Sequence, residues 1–474
     1  MHLFVAGLVP LLAGCADVFD RLVRKVEQNY AGYLLEVVGD RRAGCDRHRD
    51  RIRARADATE GDDCYFVLRD FIAYFNDPHL FIFQSTRLDS AESARRARDV
   101  DLTGLTEPAV RQDLARRRSR LDPLEGIWSD GTLRVAVVPE ATDRPQLIAV
   151  VLTSDTAIWR AGAVRARFTP RGDGGYDGEV WERNFSRRHV EARIHKRVLL
   201  RLSPGIWGKE YPVAPADSGL VDRVNPHRAT IRTGNGTVVI SIPSHDPAYR
   251  PALDSLVEGH AQALRSAQRL IVDLRGNEGG SAGTTNRLLP YLMSAELRPS
   301  LLPAGTAVML SSDDQIAYVQ RFMVYGPDTL PTIQRLLSRL RANPGRLVPV
   351  EDSLDTPQPQ PDSVIQGPVR VGIIVDGGTV SAAEAFLLRA MRSTRVTVFG
   401  ENTGGALDYQ SVFIVPFQAE RPSRWLLGYP TITARADLPK GGIKGRGIEP
   451  QVKLDLAREA DVLGSIERHL VSGR

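Results

Sequence analysis

The chain has 474 residues, 42% of them hydrophobic and 25% charged, so it can bury a large core and has length for roughly two to four domains. Its formal charge of +5 comes almost wholly from arginine, spread over the chain and interleaved with Asp and Glu. No basic stripe or nucleic-acid motif accompanies that excess, which argues against a nucleic-acid partner and for a solvated surface.

Residues 1–15, MHLFVAGLVPLLAGC, form an apolar segment too short to span a bilayer comfortably as a helix. The ending Leu12-Ala13-Gly14-Cys15 resembles a bacterial lipobox. That resemblance implies cleavage before Cys15, lipidation of its thiol, and an exported, periplasmic protein held at the membrane by the lipid. No Lys or Arg precedes the run, where a secretory signal normally carries positive charge. Cys45 and Cys64 lie in one Arg/Asp-rich connection without metal-ligand spacing. A Cys45–Cys64 disulfide is expected there, with two unrelated thiols as the alternative.

From 16 to 120 the chain reads as a helical domain. Phe19, Leu22, Val26, Tyr30, Tyr33 and Leu34 recur at helical spacing, as do the apolar residues of Tyr65–Phe75. The turn signal Asn76-Asp77-Pro78-His79 then precedes the strand-like Leu80–Phe83. Between 121 and 215 short alternating strands separated by Gly, Asp and Pro predict an all-β domain, with Trp128, Trp159 and Trp181 as core aromatics or, as the alternative, the lining of a ligand groove. The remainder, 228–474, alternates strand and helix and predicts a mostly parallel sheet covered on both faces. A polar insertion at about 311–361 interrupts it, ending in the Pro/Gln/Asp stretch Asp355–Pro361.

Two glycine-rich turns in that last region carry the chemistry. The apolar strand Val371–Val375 meets Asp376-Gly377-Gly378 and then a helix starting at Ser381. Ser381 and Glu384 fit an S-x-x-E capping box. The same position, at a helix N-terminus on the carboxyl edge of a sheet, also favours a developing negative charge. The loop Asp273–Gly280 (DLRGNEGG) lacks the nucleotide-binding patterns, and its glycines would let backbone N–H groups approach a ligand or an oxyanion closely.

Together DLRGNEGG, VDGGTVSAAEAF (Val375–Phe386), GENTGG (Gly400–Gly405) and GRGIEP (Gly445–Pro450), in that order, resemble the serine peptidase family of the C-terminal processing proteases and tricorn. The resemblance runs from about Thr237 to Val452 and points to the tricorn-like branch, as a bacterial lipoprotein member. It implies a crotonase-like α/β catalytic domain with Ser381 as nucleophile. It also implies an oxyanion hole from the backbone N–H of Ala382 and of the Gly279/Gly280 loop. The Lys of the processing-protease branch is missing from Gly404–Gln410, so the resemblance shifts the general base to His79 in Asp77-Pro78-His79-Leu80. Lys444 stands about where the tricorn-like acid belongs, leaving Glu449 and Asp77 as candidates to orient the histidine. Pro78 stands where that branch carries Ser, and Glu278 replaces a usual Gly. His245 is a second candidate base or a surface histidine at a strand end, while Asp273 and Arg275 are expected to be structural.

The functional expectation is an exported serine-type peptidase. It hydrolyses peptide or protein substrates through an acyl-enzyme on Ser381, with His79 as base and without metal or cofactor. The alternative is a catalytically inactive member binding an apolar ligand or peptide. A crotonase-type acyl-CoA enzyme, by fold analogy, is a third reading.

Overall fold

The computed structural model describes residues 14–85, 90–141, 145–155, 158–195, 197–202, 206–214, 229–300, 307–321, 330–350, 365, 367–417, 425–435, 437–456, 458–459 and 461–472. The apolar segment up to residue 13 and the stretch 355–361 lie outside them. Two compact units make up the chain. The first comprises Met1–Ser85, Ala307–Val350 and Tyr409–Pro439, and the second comprises Thr86–Thr306, Glu351–Asp408 and Lys440–Arg474.

In the first unit the helix Cys15–Asn29 buries Val18, Phe19, Leu22 and Val26 along one stripe, as its spacing predicts. It packs with the helices Asp40–Asp57 and Cys64–Ala73, where the Phe19 and Phe71 rings meet edge to face at 5.2 Å. These helices share a core with a five-stranded sheet. Phe81–Gln84, Trp425–Thr433, Val308–Leu310 and Leu347–Pro349 form its main order, and Tyr409–Pro416 also pairs with Trp425–Thr433. Phe81 lies opposite Gly428, and its ring occupies the space a side chain there would need. The expected domain 228–474, with its insertion at about 311–361, is therefore divided more widely, because 307–350 and also 409–439 find their strand partners beside Phe81–Gln84.

The expected Cys45–Cys64 bridge is not formed. Cys64 pairs with Cys15, and Cys45 is a buried free thiol. The cause is the antiparallel packing of two helices: Tyr74 Oη donates to the Arg41 carbonyl, and His48 Nε2 bonds the Asp70 carbonyl. Cys45 thus sits level with the end of the Cys64–Ala73 helix, about 12 Å of helix rise from Cys64. A Cys15 sulfur joined to Cys64 carries no thioether, so the lipidation expected at Cys15 and this bridge exclude each other. Peptide mapping without reductant should recover a Cys15–Cys64 pair, with Cys45 alkylated only after unfolding. A Cys64→Ser variant should lose about 2–5 kcal/mol in urea denaturation.

The second unit holds the expected all-β region as a closed barrel of eight antiparallel strands, from Gly126–Ser129 to Ile206–Tyr211. Its first and last strands pair directly, with Ser129 opposite Gly208. Trp128, Phe168 and Trp207 fill the interior, so the barrel is a packed core. The α/β part is a six-stranded sheet in the order Thr230–Gly234, Thr237–Ser241, Arg269–Asp273, Arg370–Val375, Val396–Gly400, Val452–Lys453. All but the first strand run parallel. Val371, Ile373 and Val375 face Leu253, Phe386 and Leu387 on one side. Ile271, Ile374 and Phe399 face Ile466 and Leu470 on the other. This alternation reflects the two-residue period of a strand, here apolar on both faces.

Candidate active site

Strands Arg269–Asp273 and Arg370–Val375 are parallel neighbours with Asp273 opposite Ile374, so the loops that follow them leave the same sheet edge side by side. Buried Asp376 ties them together, its Oδ1 accepting from Gly276 N at 2.9 Å and Gly378 N at 2.9 Å. Thr379 Oγ1 donates to the Leu274 carbonyl at 2.9 Å, and Val380 N to the Asn277 carbonyl at 3.0 Å. The chain then enters the helix Ala382–Met391 through Ser381 at φ 56° and ψ −122°. A non-glycine residue there carries strain on the order of 1–3 kcal/mol, held only because its surroundings are over-determined. Gly279 lies against this turn so closely that a Cβ would sit 2.7 Å from Ser381 Cβ and 2.9 Å from Ala382 N.

Glu384 is the main constraint. Its side chain is 0% exposed, and its Oε2 accepts from Ser381 N at 3.0 Å and Ala406 N at 2.8 Å. Oε1 accepts from Thr403 Oγ1 at 2.5 Å and Gly405 N at 2.8 Å. The capping contact read from the sequence is present, and the carboxylate also gathers the Gly400–Gly405 motif onto the Ser381 turn. Thr403 Oγ1 in turn accepts from Ile448 N at 2.7 Å, drawing in the GRGIEP motif. Three of the four motifs therefore meet on one buried acid.

Of the expected oxyanion donors, Ala382 N is the first helical amide, one of the donors that a helix leaves without an intrahelical partner. Gly279 N is directed elsewhere: it donates to Asn277 Oδ1 at 3.0 Å. The reason is His245. Its backbone N–H donates to the Gly279 carbonyl and its carbonyl accepts from Ser281 N, so Gly280 turns its own amide to the opposite, exposed side. His245 Nδ1 and Asn277 Oδ1 are 3.1 Å apart, and Asn277 Nδ2 donates to the Ile242 carbonyl at 2.7 Å, which orients the amide. His245 is neither the surface residue nor the base envisaged from the sequence. It is 0% exposed, and burial lowers its pKa to about 4 against the opposing Asn277 hydrogen bond.

His79 and Asp77 come together in the first unit. Asp77 Oδ1 accepts from His79 N at 2.9 Å and Oδ2 accepts from Tyr30 Oη at 2.7 Å. Burial, with Asp77 beside it, holds the Tyr30 hydroxyl well above its usual range, so it remains a donor. Asp77 therefore braces the turn through the His79 backbone and the Tyr30 hydroxyl. His79 Nδ1 lies 2.6 Å from the Tyr409 carbonyl, which can only accept, so Nδ1 carries the proton and Nε2 is the basic nitrogen of the neutral ring. Glu449 is an exposed residue of the second unit, paired with Lys453 at 2.6 Å.

Residues 237–454 match the model of peptidase family S41. The chain carries a peptidase family S41 domain. That family makes it a serine peptidase. Among solved structures, mature CPAF complexed with lactacystin is 13% identical over 97% of this chain and 99% of its own, with a TM-score of 0.47. The photosystem II D1 C-terminal processing protease is 13% identical over 97% and 98%, at 0.35. Tricorn protease is 12% identical over 97% of this chain and 36% of its own, at 0.37. No curated protein matches the chain in sequence.

Within the S41 domain, Asp273 and Arg275 pair with each other through two bonds of 2.8 and 2.5 Å, buried, in the structural role expected of them. Sequence reasoning missed Asn277, Asp376, Thr403 and the wider part of Glu384. The signal available was their position inside the glycine-rich motifs, since polar residues there have backbone amides to satisfy.

Replacing Glu384 by Gln should cost at least about 2 kcal/mol in urea denaturation, because an amide NH2 would face buried N–H donors. His245 gives a pH signature. Its folded pKa lies below the unfolded value, so the neutral ring's contribution is complete above pH 6.5 and lost as pH falls to about 4. The stability advantage of wild type over His245→Gln should shrink by up to about 3 kcal/mol across that window. Denaturant melts at pH 7 and pH 4 measure it, and an advantage unchanged with pH would contradict the burial of a neutral ring.

Proposed function

We propose that this chain is an exported serine peptidase with a crotonase-like catalytic domain, cleaving peptide bonds through an acyl-enzyme on Ser381. The observation that carries the reading is Ser381 itself, held at positive φ at a helix N-terminus against Gly279, with the Ala382 amide beside it. Ser381 Oγ attacks the scissile carbonyl carbon, and its proton passes to His79 Nε2. The oxyanion is met by the N–H groups of Ala382 and Gly280 and by the helix dipole. As the C–N bond breaks, His79 returns the proton to the leaving amine. Water then hydrolyses the ester by the same route. The Cys15–Cys64 bridge supports export, because disulfides persist in oxidising compartments.

The Gly279 N–H bond to Asn277 favours a second reading, a catalytically inactive member that binds a peptide or apolar ligand, since it withdraws one of the three donors expected from the sequence. A fluorescent fluorophosphonate separates the two. The peptidase should be labelled at Ser381, Ser381→Ala should not be, and His79→Ala should slow labelling by about a hundredfold or more. Labelling of Ser381→Ala at the wild-type rate would sink the assignment. A folded wild type that resists labelling and leaves fluorescein-casein intact would favour the binding protein.

A further inference from the structure

The barrel and the S41 sheet belong to one unit, and one side chain bridges them at the loop that matters most. Arg201, in the barrel strand Leu199–Arg201, extends its guanidinium to the loop between Asp273 and Gly280. Arg201 Nη2 donates to the Gly276 carbonyl at 3.1 Å, and Nε lies 3.3 Å from Glu278 Oε1. The same group lies against the nucleophile turn, since a Cβ on Gly378 would sit 2.4 Å from Arg201 Nη2 and 3.0 Å from Gly276 Cα. No positive φ requires glycine at 378, so its missing side chain is a matter of space, which the guanidinium takes up. Arg201 therefore lies against the backbone of both loops at the site, at Gly276 just ahead of Gly279 in one and at Gly378 just ahead of Ser381 in the other.

Glu278 gives this contact its chemistry. It stands where the resembled family usually has Gly, and its carboxylate pairs with the barrel arginine. With side-chain exposures of 22% for Arg201 and 50% for Glu278, the ion pair by itself adds little to stability. Its value is geometric, because a planar guanidinium fixed at two points constrains a glycine-rich loop that would otherwise be soft. We propose that Arg201 is a positioning residue, through which the barrel holds the Gly276–Gly280 loop and the Ser381 turn in the geometry that the reaction needs. The barrel is then a working part of the peptidase and not a spacer. The proposal rests on the peptidase reading above.

The test uses the full chain as wild type, Arg201→Ala, Arg201→Lys and Glu278→Gln. Three readouts are taken: the fluorophosphonate labelling rate, thermal denaturation, and hydrogen exchange over 274–281 and 376–381. Arg201→Ala should label about ten- to a hundredfold more slowly, because small displacements of a catalytic loop are costly. Its Tm should stay within about 3 °C of wild type. Exchange should rise in those two segments and not across the unit. Arg201→Lys should recover part of the rate, keeping the charge and one donor, and Glu278→Gln should have the smaller effect. Unchanged exchange, unchanged labelling, or a slower rate that merely tracks a general loss of stability would each overturn the proposal. A folded wild type that is not labelled would sink the peptidase reading instead, and the exchange pattern would then decide alone whether Arg201 holds the loops.

Discussion

The buried carboxylate of Glu384 is the constraint on which the site depends. A backbone at φ 56° is unfavourable for serine, and it persists only where bonds around it are worth more than the strain. Glu384 supplies them from one point, accepting from Ser381, Thr403, Gly405 and Ala406. A buried charge is costly unless its lone pairs are filled, so those donors stabilise the acid as much as it organises them. This mutual dependence ties together motifs that lie far apart in the chain. Each contributes donors to a centre that none completes alone.

Much of the architecture is legible because it follows from short periods. The stripe Val18, Phe19, Leu22, Val26 defines a helix face, and the apolar run Val371–Val375 between glycine-rich turns defines a buried parallel strand. The Ser381 turn and the Gly279/Gly280 loop are readable for the same reason, as local glycine-rich patterns after buried strands. What is not legible depends on distant partners. Whether Cys64 meets Cys15 or Cys45 is set by how two helices run past each other, and neither composition nor spacing encodes that. The strands of 409–439 look continuous with the α/β region because they follow it in sequence, and 307–350 reads largely as a polar insertion, yet both make their strand pairs beside Phe81–Gln84. Arg201 has no local signal at all, lying 75 residues from the carbonyl it holds.

His245 shows how burial can reverse the meaning of a residue type. A histidine near a glycine-rich catalytic loop suggests a base, but desolvation disfavours the charged ring, and a ring that resists protonation near neutrality is a poor proton acceptor. Its usefulness is that of a neutral, shaped group. Through Asn277 it fixes the direction of the Gly279 amide, and through its own backbone it fixes the course of Gly279–Ser281. The loop is thereby divided, with Gly279 facing inward to structure and Gly280 outward.

The imidazole of His79 is governed by a different compromise. A carboxylate behind a catalytic histidine both selects the tautomer and compensates the charge that develops on the ring. The Tyr409 carbonyl at 2.6 Å does the first and offers only a dipole toward the second. Asp77, the nearest acid in sequence, braces the turn through His79 N and Tyr30 Oη. In the peptidase proposed above, the main chain would orient the ring, and stabilisation of the transition state would fall more heavily on the oxyanion donors and the helix N-terminus at Ser381.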